Sequence, residues 1–201
     1  VSPSWVTETL AAQGRPTVVS YAHTAADARG PLRRIPAGYY AQARLDCLCY
    51  ESLPEKLAER FHTTVEFLEH LNEGRELASL KAGDRIWAPN VRNGVTQPRK
   101  DIARVVISIQ GNTFNAFDAR GNLVFHAPTT LGSQYDPSPR ETVTVEKITF
   151  DPWFHYQPTL FHEVDDSEPE ANLAPGPNSP VGIVWIALSK PHFGVHCTSS
   201  P

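Results

Sequence analysis

The sequence predicts an α+β chain: a small βααβ unit followed by a mainly β segment with the strand-and-turn pattern of a sandwich or partly open barrel. Three observations carry this. The 18 prolines are unevenly placed and sort the 201 residues into three segments. Apolar residues recur at helical spacing between Leu53 and Leu71. Beyond Asp101, β-branched runs alternate with Gly, Asn and Pro turns.

The first segment, 1–44, reads as a lead-in or linker, and would suit the tail of a further N-terminal domain. Within it, Ser4 to Gln13 has a Ser cap and the spacing Trp5, Val6, Leu10 of a short helix, stopped by Gly14 and Pro16. Thr17 to Ala22 is a β-branched strand candidate, followed by an irregular run through Gly30-Pro31 and Ile35-Pro36. The second segment, 45–92, is the βααβ unit. Ser52 can cap a helix and Glu55, three residues on, can reach back to it. Leu53, Leu57, Ala58 and Phe61 then share one face, and Val65, Leu68 and Leu71 share the face of a second helix that ends at Asn72 near Gly74. Leu80 to Asp84 is a turn, Arg85 to Pro89 a short strand, and a further strand is expected before Tyr50.

In the third segment, 101–201, Ile102 to Ile109 is a strand, Asp118 to Asn122 a hairpin turn between Thr113–Phe117 and Leu123–Ala127, and Thr142 to Phe150 another strand. Gly182 to Leu188 is a continuous apolar run that suits a strand buried on both faces.

Composition narrows the function classes. With 40% hydrophobic and 20% charged residues the chain carries enough apolar surface to fold. A net charge of −4, from 18 basic and 22 acidic residues, gives no electrostatic footprint for nucleic acid. No stretch is apolar for long enough to span a bilayer. The sequence starts at Val1 and has no Met, so it is expected to be a piece of something longer. Cys47, Cys49 and Cys197 match no zinc-site spacing and read as small buried apolar residues. His155, His162, Glu163, Asp165 and Asp166 likewise follow no zinc template, and the acidic run reads as a solvated loop. Trp153, Phe154, Tyr156 and Phe161 read either as an aromatic wall over a substrate site or as core.

Two stretches, LAERFHTTVEFLEHLN (Leu57 to Asn72) and LKAGDRIWAPNV (Leu80 to Val91), resemble the frames of the LysM domain, "IA-x-x-F-x-T-x-x-x-L-x-x-L-N" and "L-x-x-G-x-x-I-x-x-P". The resemblance implies two helices on one side of a two-stranded sheet, and binding of N-acetylglucosamine-containing glycans such as peptidoglycan or chitin, with Leu71 and Asn72 at the glycan.

A second resemblance lies in RVVISIQGNTFNAFDARGNLVFHAPTTLGSQYDPSP (Arg104 to Pro139), FHYQPTLF (Phe154 to Phe161) and PGPNSPVGIVWIALSKPHFGVHCT (Pro175 to Thr198). These stretches are similar to the N-terminal part of the YkuD-type L,D-transpeptidase catalytic domain. The last follows "G-P-x-N-P-V-G-x-x-W-I-x-L-S-x-x-x-Y-G-I-H-G-T". The resemblance implies a cysteine acyltransferase that cross-links peptidoglycan stem peptides in a bacterial cell envelope, periplasmic or exported, without a cofactor or metal. It implies that His196 lines the catalytic pocket, with Tyr156, Trp185, Phe193 and Thr198 at the substrate.

The family's nucleophilic Cys lies in an S-H-G-C motif beyond the H-G-T motif, and no S-H-G-C occurs in these 201 residues. The nucleophile is therefore expected beyond the end of this chain, and these residues alone are expected not to perform the transfer. Cys197 stands where the family has Gly and Phe193 where it has Tyr, and Ser138 to Glu141 replaces a T-P-x-G turn. A His196-Cys197 dyad is disfavoured, because adjacent strand residues face opposite ways. The alternative reading is a peptidoglycan- or chitin-binding protein with a degenerate transpeptidase domain.

Overall fold

The computed structural model describes residues 3–12, 14, 16–91, 100–132, 134–135, 137–162 and 164–197. The chain begins with helix α1 (Pro3–Ala12) and strand β1 (Val18–Ala22), then a long excursion containing the single-turn helix α2 (Tyr39–Gln42). Helix α3 (Leu53–Arg60) starts at the expected cap: the Glu55 N–H donates to Ser52 Oγ at 3.2 Å, and Glu55 Oε2 accepts the Ser52 N–H at 3.3 Å. This reciprocal pair satisfies donors that a helix start otherwise leaves open. Helix α4 (Val65–His70) is capped by Thr64, whose hydroxyl accepts from Phe67 N–H.

Strand β2 (Arg85–Pro89) pairs antiparallel with β1, with Val18 opposite Pro89 and Ala22 opposite Arg85. The strand that completes the βααβ unit is therefore Val18–Ala22 from the lead-in, not one just ahead of Tyr50. Register explains the choice. Ile86 (1% exposed) and Ala88 (fully buried) point inward against Leu53, Leu57, Ala58, Phe61, Leu68 and Leu77. The alternation leaves Arg85 and Trp87 outside.

Next to this core, Asp27 is buried at 3% exposure. It accepts from the Tyr21 hydroxyl (2.8 Å), the Thr24 N–H and hydroxyl (2.7 Å each) and Arg60 Nη1 (3.2 Å). Burial pushes its carboxyl upward, but the bonds from Thr24 and Tyr21 and the Arg60 charge outweigh it and hold the pKa below the usual value.

The remaining strands are short and antiparallel. Strands β3 (Ile102–Ser108), β4 (Thr113–Asp118) and β5 (Leu123–Pro128) form a meander. Its β4–β5 turn is closed by Asp118, whose carboxylate accepts from the Arg120 and Asn122 N–H groups and the Asn122 side chain. Strands β6 (Val145–Phe150), β9 (Val184–Leu188) and β10 (Gly194–His196) form a second sheet in the order β10-β9-β6. Between β6 and β9, β7 (Phe154–Tyr156) and β8 (Ala171–Leu173) make a hairpin pair without a clear apolar signature in sequence. The mainly β character holds, with the strands distributed over several small sheets. All five residues of β9 are half-buried rather than covered on both faces: its edges are paired on each side, but its faces are only partly roofed by described residues.

The contacts divide into two units, Val1–Asn93 with Val145–Gln157 and Pro169–Pro201, and Gly94–Thr144 with Pro158–Glu168. The βααβ unit and the β6–β9–β10 sheet thus belong to the same unit, while the β3–β5 meander is in the other.

The cysteines depart from the expected buried thiols. Cys47 and Cys49 are joined in a disulfide and half-buried, and Cys197 is a free, exposed thiol. Two cysteines flanking one residue can bridge when the intervening backbone turns, and spacing alone does not reveal that turn.

The pKa of Asp27 is lowered on folding, so its contribution to stability is present above the unfolded carboxylate value and is lost as pH falls through the folded one. Asp27→Ala should lower unfolding free energy at pH 7 by about 2–4 kcal/mol in urea melts, since it strands buried donors. It should also flatten the decline in stability of the parent chain below about pH 4.

Candidate functional site

Strand β10 presents His196 directly opposite Trp185 of β9. Cross-strand partners project to the same face, and the rings stack at a centroid distance of 5.4 Å and an interplanar angle of 20°. Gly194 makes room for this arrangement, since a Cβ there would run into the Trp185 ring. His196 Nδ1 lies 2.6 Å from the Cys197 carbonyl oxygen. A carbonyl only accepts, so Nδ1 carries the proton and Nε2 is the acceptor of the neutral ring. A base whose tautomer and plane are both set is suited to proton transfer.

The bond runs to the Cys197 carbonyl and not to its sulfur. The Cys197 Cβ sits instead where a Cβ on Gly182 would fall, 2.5 Å from that position, and Gly182 has φ +61°. The glycine makes space for the Cys197 side chain.

The other expected site residues are dispersed. Phe193 is in the β9–β10 turn with the Lys190 ammonium 5.3 Å from its ring centroid. Tyr156 is 3% exposed and packs on Tyr39 of α2 at 4.4 Å, which also meets Phe154 at 5.9 Å. These aromatics, read as wall or core, include Tyr156 and Phe154 in a packed cluster, whereas Trp153 is exposed. Thr198 and Glu163 lie outside the described residues. His155 bonds Asn172 and Glu170 across the β7–β8 hairpin. Among the described residues no group of three His, Cys, Asp or Glu is placed to hold a metal ion.

The segment ahead of β9 is anchored through Asn178. Its side-chain amide donates to the Cys49 carbonyl (2.9 Å) and to Glu55 Oε1 (2.7 Å), while its N–H donates to the Leu48 carbonyl (2.9 Å). The Leu48 N–H donates to the Pro175 carbonyl at 3.0 Å. Gly176, at φ +151°, passes so close to the Leu48 carbonyl that any side chain would collide with it. A cavity of about 850 Å³ beside this anchor is lined by Arg34, Gln42, Glu51, Glu55 and Asn178 among others.

In the βααβ unit, Leu71 and Asn72 border a groove of about 570 Å³ with His70, Arg75, Arg85 and Trp87. Asn72 is buried at 6% exposure and its side chain is consumed internally. It donates to the Leu68 and Trp87 carbonyls (2.8 and 2.7 Å) and accepts the Trp87 N–H at 2.8 Å. Its amide group therefore positions Trp87, which is 54% exposed. Alternation along Arg85-Ile86-Trp87-Ala88 was the sequence signal for Trp87.

No family model matches the chain. A curated protein from Bacillus licheniformis, "Putative L,D-transpeptidase YkuD", is 28% identical over 147 residues, spanning 73% of this chain and 71% of the relative. The chain is thus similar over most of its length to a protein named as a putative L,D-transpeptidase. No helix among the described residues is long and apolar enough to cross a membrane.

Asn178→Ala should cost about 1–3 kcal/mol in urea unfolding, from two lost side-chain hydrogen bonds. Asn178→Asp should be worse near pH 7, because its carboxylate meets Glu55 and a carbonyl. That excess should shrink as pH is lowered and the new acid protonates.

Proposed function

We propose that this chain belongs to a peptidoglycan L,D-transpeptidase of the bacterial cell envelope, a cell-wall-building acyltransferase that influences cell shape, and that its βααβ unit is a LysM-like module for the glycan strand. The observation that carries the reading is the stretch Pro175 to Thr198, which matches the family pattern while Trp185 and His196 are stacked cross-strand partners. The relative from Bacillus licheniformis supports the same assignment.

In this reading a cysteine thiolate attacks the amide carbonyl of a tetrapeptide stem. The C-terminal residue of the stem leaves as an amine that takes a proton, and an acceptor amine resolves the acyl-enzyme. His196, with Nδ1 fixed on the Cys197 carbonyl, offers Nε2 for the proton at each step. The Trp185 ring holds the imidazole plane. Phe193 and Thr198 are proposed at the substrate as in the family pattern, and Tyr156 supports the β7–β8 hairpin from within its aromatic cluster. The 201 residues hold no S-H-G-C, so the test uses the product of the whole gene.

The glycan reading draws on the groove beside Trp87, where an exposed indole can stack on a sugar face and His70, Arg75 and Arg85 can bond hydroxyl and acetamide groups. The second reading, wall or chitin binding without transfer, is favoured by Cys197 in place of Gly.

Incubating the whole gene product with a carbapenem should give a mass shift on one cysteine. His196→Ala should slow that acylation by about 10²–10⁴-fold. No adduct despite an intact S-H-G-C, or no such segment in the gene, leaves only the binding reading. In sedimentation with purified peptidoglycan, Trp87→Ala should weaken binding by roughly ten-fold or more. Binding unchanged by Trp87→Ala would remove the groove from the glycan assignment.

A further inference from the structure

The Cys47–Cys49 bond closes a loop of three residues around the fully buried Leu48. A loop that short removes little entropy from the unfolded chain, so stapling the fold explains little of its presence. Its surroundings are those of a reactive sulfur. Arg33 Nη2 lies 3.6 Å from Cys47 Sγ, and the same guanidinium pairs with Asp46, whose side chain is 86% exposed. Arg33 Nε is buried without a hydrogen-bond partner. A cation with an unmet donor beside a sulfur favours the thiolate over the thiol. Both cysteines are half-buried, neither fully enclosed.

From this geometry we infer that Cys47–Cys49 is a thiol–disulfide exchange site for low-mass thiols, in which Arg33 stabilises Cys47 as the leaving and returning thiolate. A thiolate attacks Cys49 Sγ, forming a mixed disulfide there, and the Cys47–Cys49 bond breaks with its electron pair on Cys47 beside Arg33. A second thiolate attacks the sulfur of the first thiol and releases Cys49 as a thiolate. In sum two thiols are oxidised to one disulfide and the protein disulfide is reduced to two cysteines, which take up the two protons. In the reverse direction the Cys49 thiolate attacks a low-mass disulfide and releases one thiolate, and the Cys47 thiolate beside Arg33 then attacks Cys49 Sγ and releases the other. Exchange also reaches the anchor of the Pro175–Asn178 segment, because Leu48 and Cys49 supply the backbone groups that bond Pro175 and Asn178. Opening the ring frees the torsions that aim those groups.

The test uses the 201-residue chain with Cys197→Ser, in which Cys47 and Cys49 are the only cysteines. It is equilibrated in buffers of reduced and oxidised glutathione without denaturant, quenched with N-ethylmaleimide and weighed intact. The expected result is conversion to a doubly alkylated species while circular dichroism is unchanged, with faster hydrogen exchange at the Leu48 and Asn178 amides. Arg33→Gln should slow exchange roughly five-fold, Arg33→Lys should recover most of the rate, and Asp46→Asn, at an exposed position, should accelerate it. Reduction that occurs only in urea would overturn the proposal, as would an unchanged rate in a folded Arg33→Gln variant together with an unchanged rate in Asp46→Asn.

Discussion

The carboxylate of Glu55 serves two structures at once, and much of the larger unit hangs on it. One oxygen accepts the Ser52 and Glu51 N–H groups and so starts α3, and the other accepts the Asn178 amide. Helix initiation in the βααβ unit and placement of the strand-entry segment before β9 are thus fixed by one side chain. The bonds are charge-assisted, which makes them stronger than neutral ones and costly to leave half-made. Glu51 extends the same logic by accepting the Ile35 N–H at 2.6 Å, tying the lead-in to the helix start.

A comparable economy governs the sheet of the βααβ unit. Asn72, just past the C-cap of α4, uses its amide to bond both backbone groups of Trp87. With Ile86 and Ala88 locked inward, the Trp87 indole has only the solvent side to occupy. The exposed ring follows from the buried asparagine. A buried amide with satisfied donors and acceptor is a positioning element for the residue it holds.

At β9–β10 the limiting factor is space. Two glycines, Gly194 and Gly182, leave room respectively for the Trp185 ring and for the Cys197 side chain. The stacked His196–Trp185 pair depends on the first, and the placement of the Cys197 side chain depends on the second. Small residues thus set where the Trp185 ring and the Cys197 side chain stand.

Local chemistry along the chain determined the capped helix at Ser52, the strand Arg85–Pro89 and the Asp118 hairpin turn, because caps, turns and alternation act over a few residues. Three features required the folded chain. The partner of β2 is Val18–Ala22, chosen by a register spanning more than sixty intervening positions that no local pattern encodes. The half-buried Cys47–Cys49 bond depends on a backbone turn that spacing does not specify. The roles of Asn72, Asn178 and Tyr156 depend on which distant groups meet them. Polar and aromatic side chains of the same type serve a site or a core according to what surrounds them, and only tertiary structure supplies the surroundings.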